Sequence, residues 1–143
     1  MNPKQFLLLG GIILVVLGVA GLVVLGPTPE QSLLGNAFYL DNTENMAHLL
    51  FGVVALGAYF GLKDANLTKW LVVLVGIVAL AVAVLGFVSS GNPAPNVGVS
   101  NLESPLDNIL HIGVAVWAFA AAFMGKKATG SMSGPSSMPP TQV

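Results

Sequence analysis

Four long apolar segments, separated by polar stretches, dominate the pattern of the chain. They cover residues 5–26, 46–62, 70–88 and 106–124. Each has about the 20 residues that a helix needs to cross about 30 Å of hydrocarbon. Apart from Asp107 at the start of the last segment, none contains a Lys, Asp, Glu or Pro. Hydrophobic and polar residues do not alternate within them, which argues against strands. The pattern predicts an all-α protein, a four-helix transmembrane bundle.

The charged residues sort to opposite ends of these four segments. With four spans, every basic residue falls at one end: Lys4, Lys63, Lys69, Lys126 and Lys127. Five of the six acidic residues fall at the other end: Glu30, Asp41, Glu44, Glu103 and Asp107. Short Lys-rich loops stay in the cytoplasm. We therefore expect both termini inside (N-in/C-in), with residues 27–43 and 89–104 outside.

Composition agrees with a lipid environment. Only 8% of the residues are charged, against about 25% in soluble domains. The net charge of −1 and the absence of Arg provide no basic surface for nucleic acid. Cys is absent, which excludes disulfides and thiolate sites. The expected partner is the lipid bilayer, and the alternatives for a further partner are other membrane subunits and a second copy of the chain.

The chain reads as two copies of one hairpin, about residues 1–66 and 67–127, within a membrane domain covering 1–127. At an offset of 65 residues, Gly11 matches Gly76 and Gly21 matches Gly86. At an offset of 63, an acidic-Asn-x-x-His string recurs: Glu44, Asn45 and His48 match Asp107, Asn108 and His111. Two spans per copy predict the same insertion for both, related by an axis along the membrane normal. Residues 128–143, rich in Ser, Pro, Gly and Met, predict a disordered cytoplasmic tail.

The recurring string lies where the second and fourth helices are expected to begin. Ser104, followed by Pro105, is predicted as the N-cap of the last helix, with Asp107 three residues later. By the repeat, Asp41 is the matching N-cap and Glu44 the matching acid. Negative charge in a first turn is favoured by the helix dipole.

Helical spacing brings the rest of each string onto one face. His48 follows Glu44 by four residues, as His111 follows Asp107, so each carboxylate can orient its imidazole. Asn45 and Asn108 lie one turn before the histidines and can bond outer-loop carbonyls. One interpretation is a structural polar network of these six residues. A second is ligation of haem, a metal or a chlorophyll-type cofactor by His48 and His111. A third is a proton or ion path.

Small residues at a spacing of four predict close helix packing. Gly57 and Gly61 share one face of the second segment, as Ala118 and Ala122 do in the fourth. Such pairs allow two helix backbones to approach closely. We expect these faces to pack within the bundle.

With its two strings, Glu44–Gly52 and Asp107–Gly113, residues 2–124 resemble an uncharacterised bacterial family of four-span membrane proteins, a domain of unknown function with paired Asn-x-x-His motifs. The resemblance implies a bacterial inner-membrane location and a four-helix fold, but no activity. We expect a structural or accessory role, such as that of a subunit in a larger membrane complex. The alternatives are a cofactor binder and a small channel or transporter. No Ser-His-acid set, carboxylate pair or metal quartet is evident, so an enzyme is not expected.

Overall fold

A computed structural model describes residues 1–125, so Lys126, Lys127 and the predicted disordered tail lie outside the described residues. Within residues 1–125 the chain forms four long helices and no strand. These are α1 (Pro3–Val23), α2 (Asn42–Gly61), α3 (Ala65–Val88) and α4 (Leu106–Phe123); a 3-10 turn, Gly35–Ala37, lies between α1 and α2. The all-α prediction is confirmed for this part of the chain.

Local capping explains why the first three helices begin earlier than the apolar segments do. Asn2 and Gln5 form a capping box at the start of α1. The Asp64 carboxylate accepts the Leu67 N–H at 2.7 Å at the start of α3. Such caps satisfy backbone N–H groups that have no partner within the helix. The polar residues directly before each of the first three apolar segments are therefore helical and not part of the loops.

Three of the helices are long and apolar enough to cross a membrane. The mean hydropathy of their most apolar stretches is 2.9 in α1, 3.1 in α3 and 1.6 in α4. The 20 residues of α2 span about 30 Å, but its polar first two turns lower its hydropathy. The chain is thus a multi-pass membrane protein, and a fourth crossing by α2 stays a prediction.

The helices associate as two hairpins, α1 with α2 and α3 with α4, and α1 also contacts α3 and α4. Glycines allow the close approach within the first hairpin. A Cβ added to Gly18 would lie 2.6 Å from Leu49 Cγ, and one added to Gly52 would lie 2.7 Å from Val15 Cγ2. Between the hairpins, apolar side chains from three helices form the core: Phe6, Leu7, Val72, Val73, Ala118, Ala121 and Ala122.

The two predicted small-residue faces have different outcomes. Ala118 and Ala122 are buried in the core, as predicted. The prediction for Gly57 and Gly61 is wrong, because a Cβ added to either would find nothing within 4 Å in the described chain. Instead α2 faces α1 through Gly52, and a residue five positions further along a helix lies on a different face.

The predicted N-cap of α4 is also wrong. Pro105 occupies the N-cap position, and no side chain of residues 1–125 caps this helix. The Asp107 N–H, which a Ser104 hydroxyl would have accepted, donates to the Glu103 carbonyl at 2.9 Å. The Glu103 carbonyl therefore accepts the N–H that the sequence assigned to the Ser104 hydroxyl.

The two ends of the bundle differ in charge. The lysine end carries Lys4, Lys63 and Lys69, and the Lys4 ammonium donates to the Leu62 carbonyl at 3.3 Å. The acidic end comprises the two long loops, residues 24–41 and 89–105, with the first turns of α2 and α4. The candidate site lies at this acidic end.

Candidate functional site at the acidic end

The start of α2 is closed by a reciprocal pair of hydrogen bonds. The Asp41 Oδ1 accepts the Glu44 N–H at 2.9 Å, and the Glu44 Oε2 accepts the Asp41 N–H at 2.9 Å. This capping box confirms Asp41 as the N-cap. Because the Glu44 carboxylate bonds backbone, it does not orient His48, whose Nδ1 is buried and has no hydrogen-bond partner among the described residues.

Asp41 also joins the two long loops. Its second carboxylate oxygen, Oδ2, accepts from the Ser100 hydroxyl and from the Asn101 N–H, both at 2.8 Å. Next to it, the Thr43 hydroxyl donates to the Val99 carbonyl at 2.9 Å. We call these three bonds the loop clasp. They connect positions almost 60 residues apart and hold the second loop over the start of α2.

Asn101 extends the clasp on the side of the second loop. Its side-chain amide donates to the Tyr39 hydroxyl and, at 3.2 Å, to the Glu103 Oε1. Burial and the neighbouring Glu103 charge raise the pKa of the Tyr39 phenol. The Glu103 side chain is 9% exposed, and burial raises its pKa to about 7. Tyr39, Asn101 and Glu103 thus form a single polar chain across the two loops.

The acid and histidine of the second string pair as predicted. The His111 Nδ1 lies 3.2 Å from the Asp107 Oδ1 and 2.9 Å from the Asp107 carbonyl oxygen. The carboxylate fixes the ring orientation and leaves Nε2 as the nitrogen available to a ligand. His48 interacts electrostatically with His111 and Asp107, so these three side chains share this end of the bundle.

Each asparagine of the two strings packs on a glycine of the preceding helix. A Cβ added to Gly21 would overlap the Asn45 side-chain amide, and one added to Gly86 would overlap that of Asn108. Both amides are fully buried. The Asn45 Nδ2 donates to the Leu40 carbonyl at 3.0 Å, as predicted. The corresponding prediction for Asn108 is wrong, because neither of its amide atoms has a partner within residues 1–125.

The acidic end contains more negative than positive charge. Asp41, Glu44, Glu103 and Asp107 share it with the two imidazoles, while no Lys or Arg lies in residues 5–62 or 70–125. Among the described residues, no three His, Asp or Glu side chains are placed to hold a metal ion. The chemistry offered by this end is therefore hydrogen-bond acceptance and proton binding.

Comparison with known families identifies the domain. The family described as a domain of unknown function, DUF4383, matches residues 4–124. The chain belongs to the DUF4383 family. This confirms the expected membership of an uncharacterised family and covers both hairpins of the DUF4383 domain. No curated protein and no solved structure matches the chain.

Several residues of this DUF4383 site carry no sequence signal. Ser100 and Asn101 lie in an irregular loop, where no periodicity indicates which side chains turn inward. Tyr39 belongs to neither of the two strings, and Glu103 was predicted only as one of the acidic residues at the outer end. The matched glycines, Gly21 and Gly86, did carry a signal, since they recur at the offset of the repeat.

Proposed function

We propose that the protein is a structural or accessory membrane protein whose four helices all cross the bilayer, with the lysine end in the cytoplasm. The segregation of Lys4, Lys63 and Lys69 from the acidic residues supports this orientation. The matched packing of Asn45 on Gly21 and of Asn108 on Gly86 supports an origin of the two hairpins by duplication.

The loop clasp is the observation that carries the structural role. The polar groups of Asp41, Thr43, Ser100 and Asn101 bind each other and the backbone. A network that is satisfied internally closes the end of a bundle, whereas a catalytic centre presents groups toward a substrate. The main role of the acidic end is therefore to hold the two long loops together.

The outward face of α2 supports a role as a subunit. Gly57 and Gly61 lie in open space on this face, next to Val53 and Phe60, which are 62% and 75% exposed. In membranes, small residues beside large apolar ones permit a second helix to approach closely. We propose that this face meets another membrane helix.

Cross-linking in native membranes tests the subunit role. We expect a larger cross-linked species for the wild type and its loss in Gly57→Ile, because added bulk blocks close approach. Gly113→Ile in α4 is the matched control, since Gly113 is equally open but lies outside the proposed face. A wild type that stays a lone monomer, or a loss that is equal in both variants, would contradict the proposal.

Labelling tests the orientation separately. The chain contains no Cys, so single cysteines can be placed without background. An impermeant maleimide added to intact cells should label Leu33→Cys, which is 80% exposed in the first long loop, and not Lys63→Cys. Labelling of Lys63→Cys alone would reverse the orientation.

A second candidate function is cofactor binding by His48 and His111. The orientation of the His111 ring by Asp107 and the unpartnered His48 Nδ1 favour it. An absorption spectrum and metal analysis of protein purified from its native membrane test this function. A colourless, metal-free preparation would exclude it, whereas a band lost in His111→Ala but retained in Trp117→Phe would support it.

A further inference from the structure

Unpartnered buried polar atoms gather at the acidic end. Within residues 1–125, six such side-chain atoms have no hydrogen-bond partner: Asn45 Oδ1, His48 Nδ1, Glu103 Oε2, Asp107 Oδ2, and both Asn108 amide atoms. Four of the six are oxygens, which accept hydrogen bonds. Two belong to carboxyl groups, and the residues that carry them are at least nine-tenths buried. The end is thus rich in acceptors and poor in donors.

The negative charge of the buried side chains is a second indication that the acidic end lacks donors. Glu103 and Asp107 are both buried and interact electrostatically with each other and with Glu44. Burying several carboxylates together without a cation is costly, and protonation is the usual way in which a protein removes that cost. Lys4, Lys63 and Lys69 lie at the opposite end, and no three acidic or histidine side chains within 1–125 are arranged for a metal. The ligand that fits best is a proton.

We propose that Glu103, together with Asp107, forms a binding site for a proton taken from the medium at the acidic end. Glu103 Oε1 is held by the Asn101 amide at 3.2 Å, which leaves Oε2 as the position for the proton. A protonated Oε2 becomes a donor, and the unpartnered Asp107 Oδ2 is an acceptor at the same end. One proton thereby removes one buried charge and adds a donor to a cluster in which four of the six unpartnered atoms are oxygens.

The acid–base properties of Glu103 agree with this assignment. Burial raises the pKa of Glu103 from 4.5 to about 7, with Asp107 adding to the effect. The group therefore holds its proton at mildly acidic pH and releases it as the pH rises through neutrality. The titratable groups that interact with it are Tyr39 from the first loop, Glu44 from α2 and Asp107 from α4. Behind these, Asp41 interacts with Glu44, and His48 and His111 interact with Asp107.

Proton release should loosen the loop clasp. Asn101 links Glu103 and Tyr39 through its side chain and Asp41 through its backbone N–H. A negative charge on Glu103 adds repulsion toward the Glu44 and Asp107 carboxylates, next to the residues that join the two loops. The site consequently couples the pH of the medium to the closure of this end of the bundle.

Infrared spectroscopy of the detergent-purified full chain tests proton binding directly. Protonated carboxyl groups give a C=O stretch that ionised ones lack. We expect a band at about pH 6, where ordinary carboxyl groups are ionised, with loss of intensity around pH 7. Glu103→Gln should remove that titrating component. Glu30→Gln is the matched control, because Glu30 lies at the same end, is fully exposed and has a lowered pKa.

Two results would overturn the proposal. A wild type without a protonated-carboxyl band at about pH 6 would exclude the site, whatever the variants do. A titrating band that persists in folded Glu103→Gln would also exclude it. If Glu103→Gln fails to fold, the wild-type titration alone decides.

A distance measurement tests the coupling to the clasp. Spin labels at Leu33→Cys and Val99→Cys, which are 80% and 76% exposed in the two loops, report loop separation. We expect a narrow distribution at about pH 5.5 and a broader, longer one at about pH 8.5. With Glu103→Gln added, the distribution should stay narrow at both pH values. A wild-type distribution that does not change with pH would overturn the coupling.

Discussion

The two hairpins start from the same pattern but use their polar residues differently. In the first, Asp41 caps α2, Glu44 completes the capping box and Asn45 bonds the Leu40 carbonyl. In the second, α4 begins without a side-chain cap, and Asn108 has no partner within the described chain. The carboxylates of the first hairpin, Asp41 and Glu44, bond backbone N–H groups, whereas four of the six unpartnered buried atoms, including both carboxyl oxygens, belong to the second hairpin. This difference places the proposed proton site in the second hairpin.

Substitutions of the two glycines on which the asparagines pack, Gly21 and Gly86, should give the largest loss of stability. Gly21→Ala and Gly86→Ala each force a fully buried asparagine to move, and such overpacking costs about 1–3 kcal/mol. Gly21→Ala should cost about 1 kcal/mol more, because displacing Asn45 also breaks its bond to Leu40. SDS titration of the purified protein measures both free energies of unfolding.

The control for Gly21→Ala and Gly86→Ala is Gly10→Ala in α1, where the nearest atom is 3.9 Å from the added Cβ. It should not destabilise the protein. Equal losses for Gly21→Ala and Gly86→Ala would show that the Asn45 bond does not distinguish the hairpins.

The second-largest effect should be a difference in stability between variants at the start of α2 and variants at the start of α4. Asp41→Ala removes an N-cap, worth about 0.5–2 kcal/mol, together with the acceptor for Ser100 and Asn101. We expect a total loss of about 2–3 kcal/mol from these contributions. Ser104→Ala should change the unfolding free energy by less than about 0.5 kcal/mol, since its hydroxyl caps nothing. The same SDS titration compares them.

An intermediate variant separates the two roles of Asp41. Asp41→Asn retains an oxygen that can cap the Glu44 N–H but turns an amide toward the Ser100 hydroxyl and the Asn101 N–H. It should lose less stability than Asp41→Ala and should still loosen the clasp. A Ser104→Ala loss as large as that of Asp41→Ala would contradict the description of the start of α4.

The sequence predicts some of these features of the two hairpins and not others, for physical reasons. Periodicity and length identify the helices, and the short-range rules of capping identify Asp41, because both depend on residues within a turn of each other. Which face of an apolar helix meets its neighbour depends on tertiary packing, and a helix that is apolar all round gives no moment to indicate it. Hence Gly57 was assigned to packing wrongly. Ser100 and Asn101 join the clasp through contacts across the chain that no local pattern encodes.

The asparagines themselves provide a smaller and more direct comparison. Asn45→Ala and Asn108→Ala remove the same atoms from fully buried positions, each against a glycine, so the packing losses should be similar. Asn45→Ala additionally leaves the Leu40 carbonyl without its partner. We expect Asn45→Ala to cost about 1 kcal/mol more. A larger loss in Asn108→Ala would show that Asn108 has a partner that the described residues do not include.

The smallest expected effect is a gain. At the offset of 63 residues that relates the two strings, Gly57 of α2 corresponds to Ala120 of α4. Gly57→Ala therefore copies the second hairpin into the first at a position with nothing within 4 Å. Alanine restricts the backbone more than glycine in the unfolded chain, so the free energy of unfolding should rise by about 0.5–1 kcal/mol. SDS titration in detergent measures this gain for the isolated chain, and a loss there would show that α2 is packed on this face. Cross-linking in membranes gives the complementary result: because a methyl group is small, Gly57→Ala should retain most of the assembly that Gly57→Ile loses.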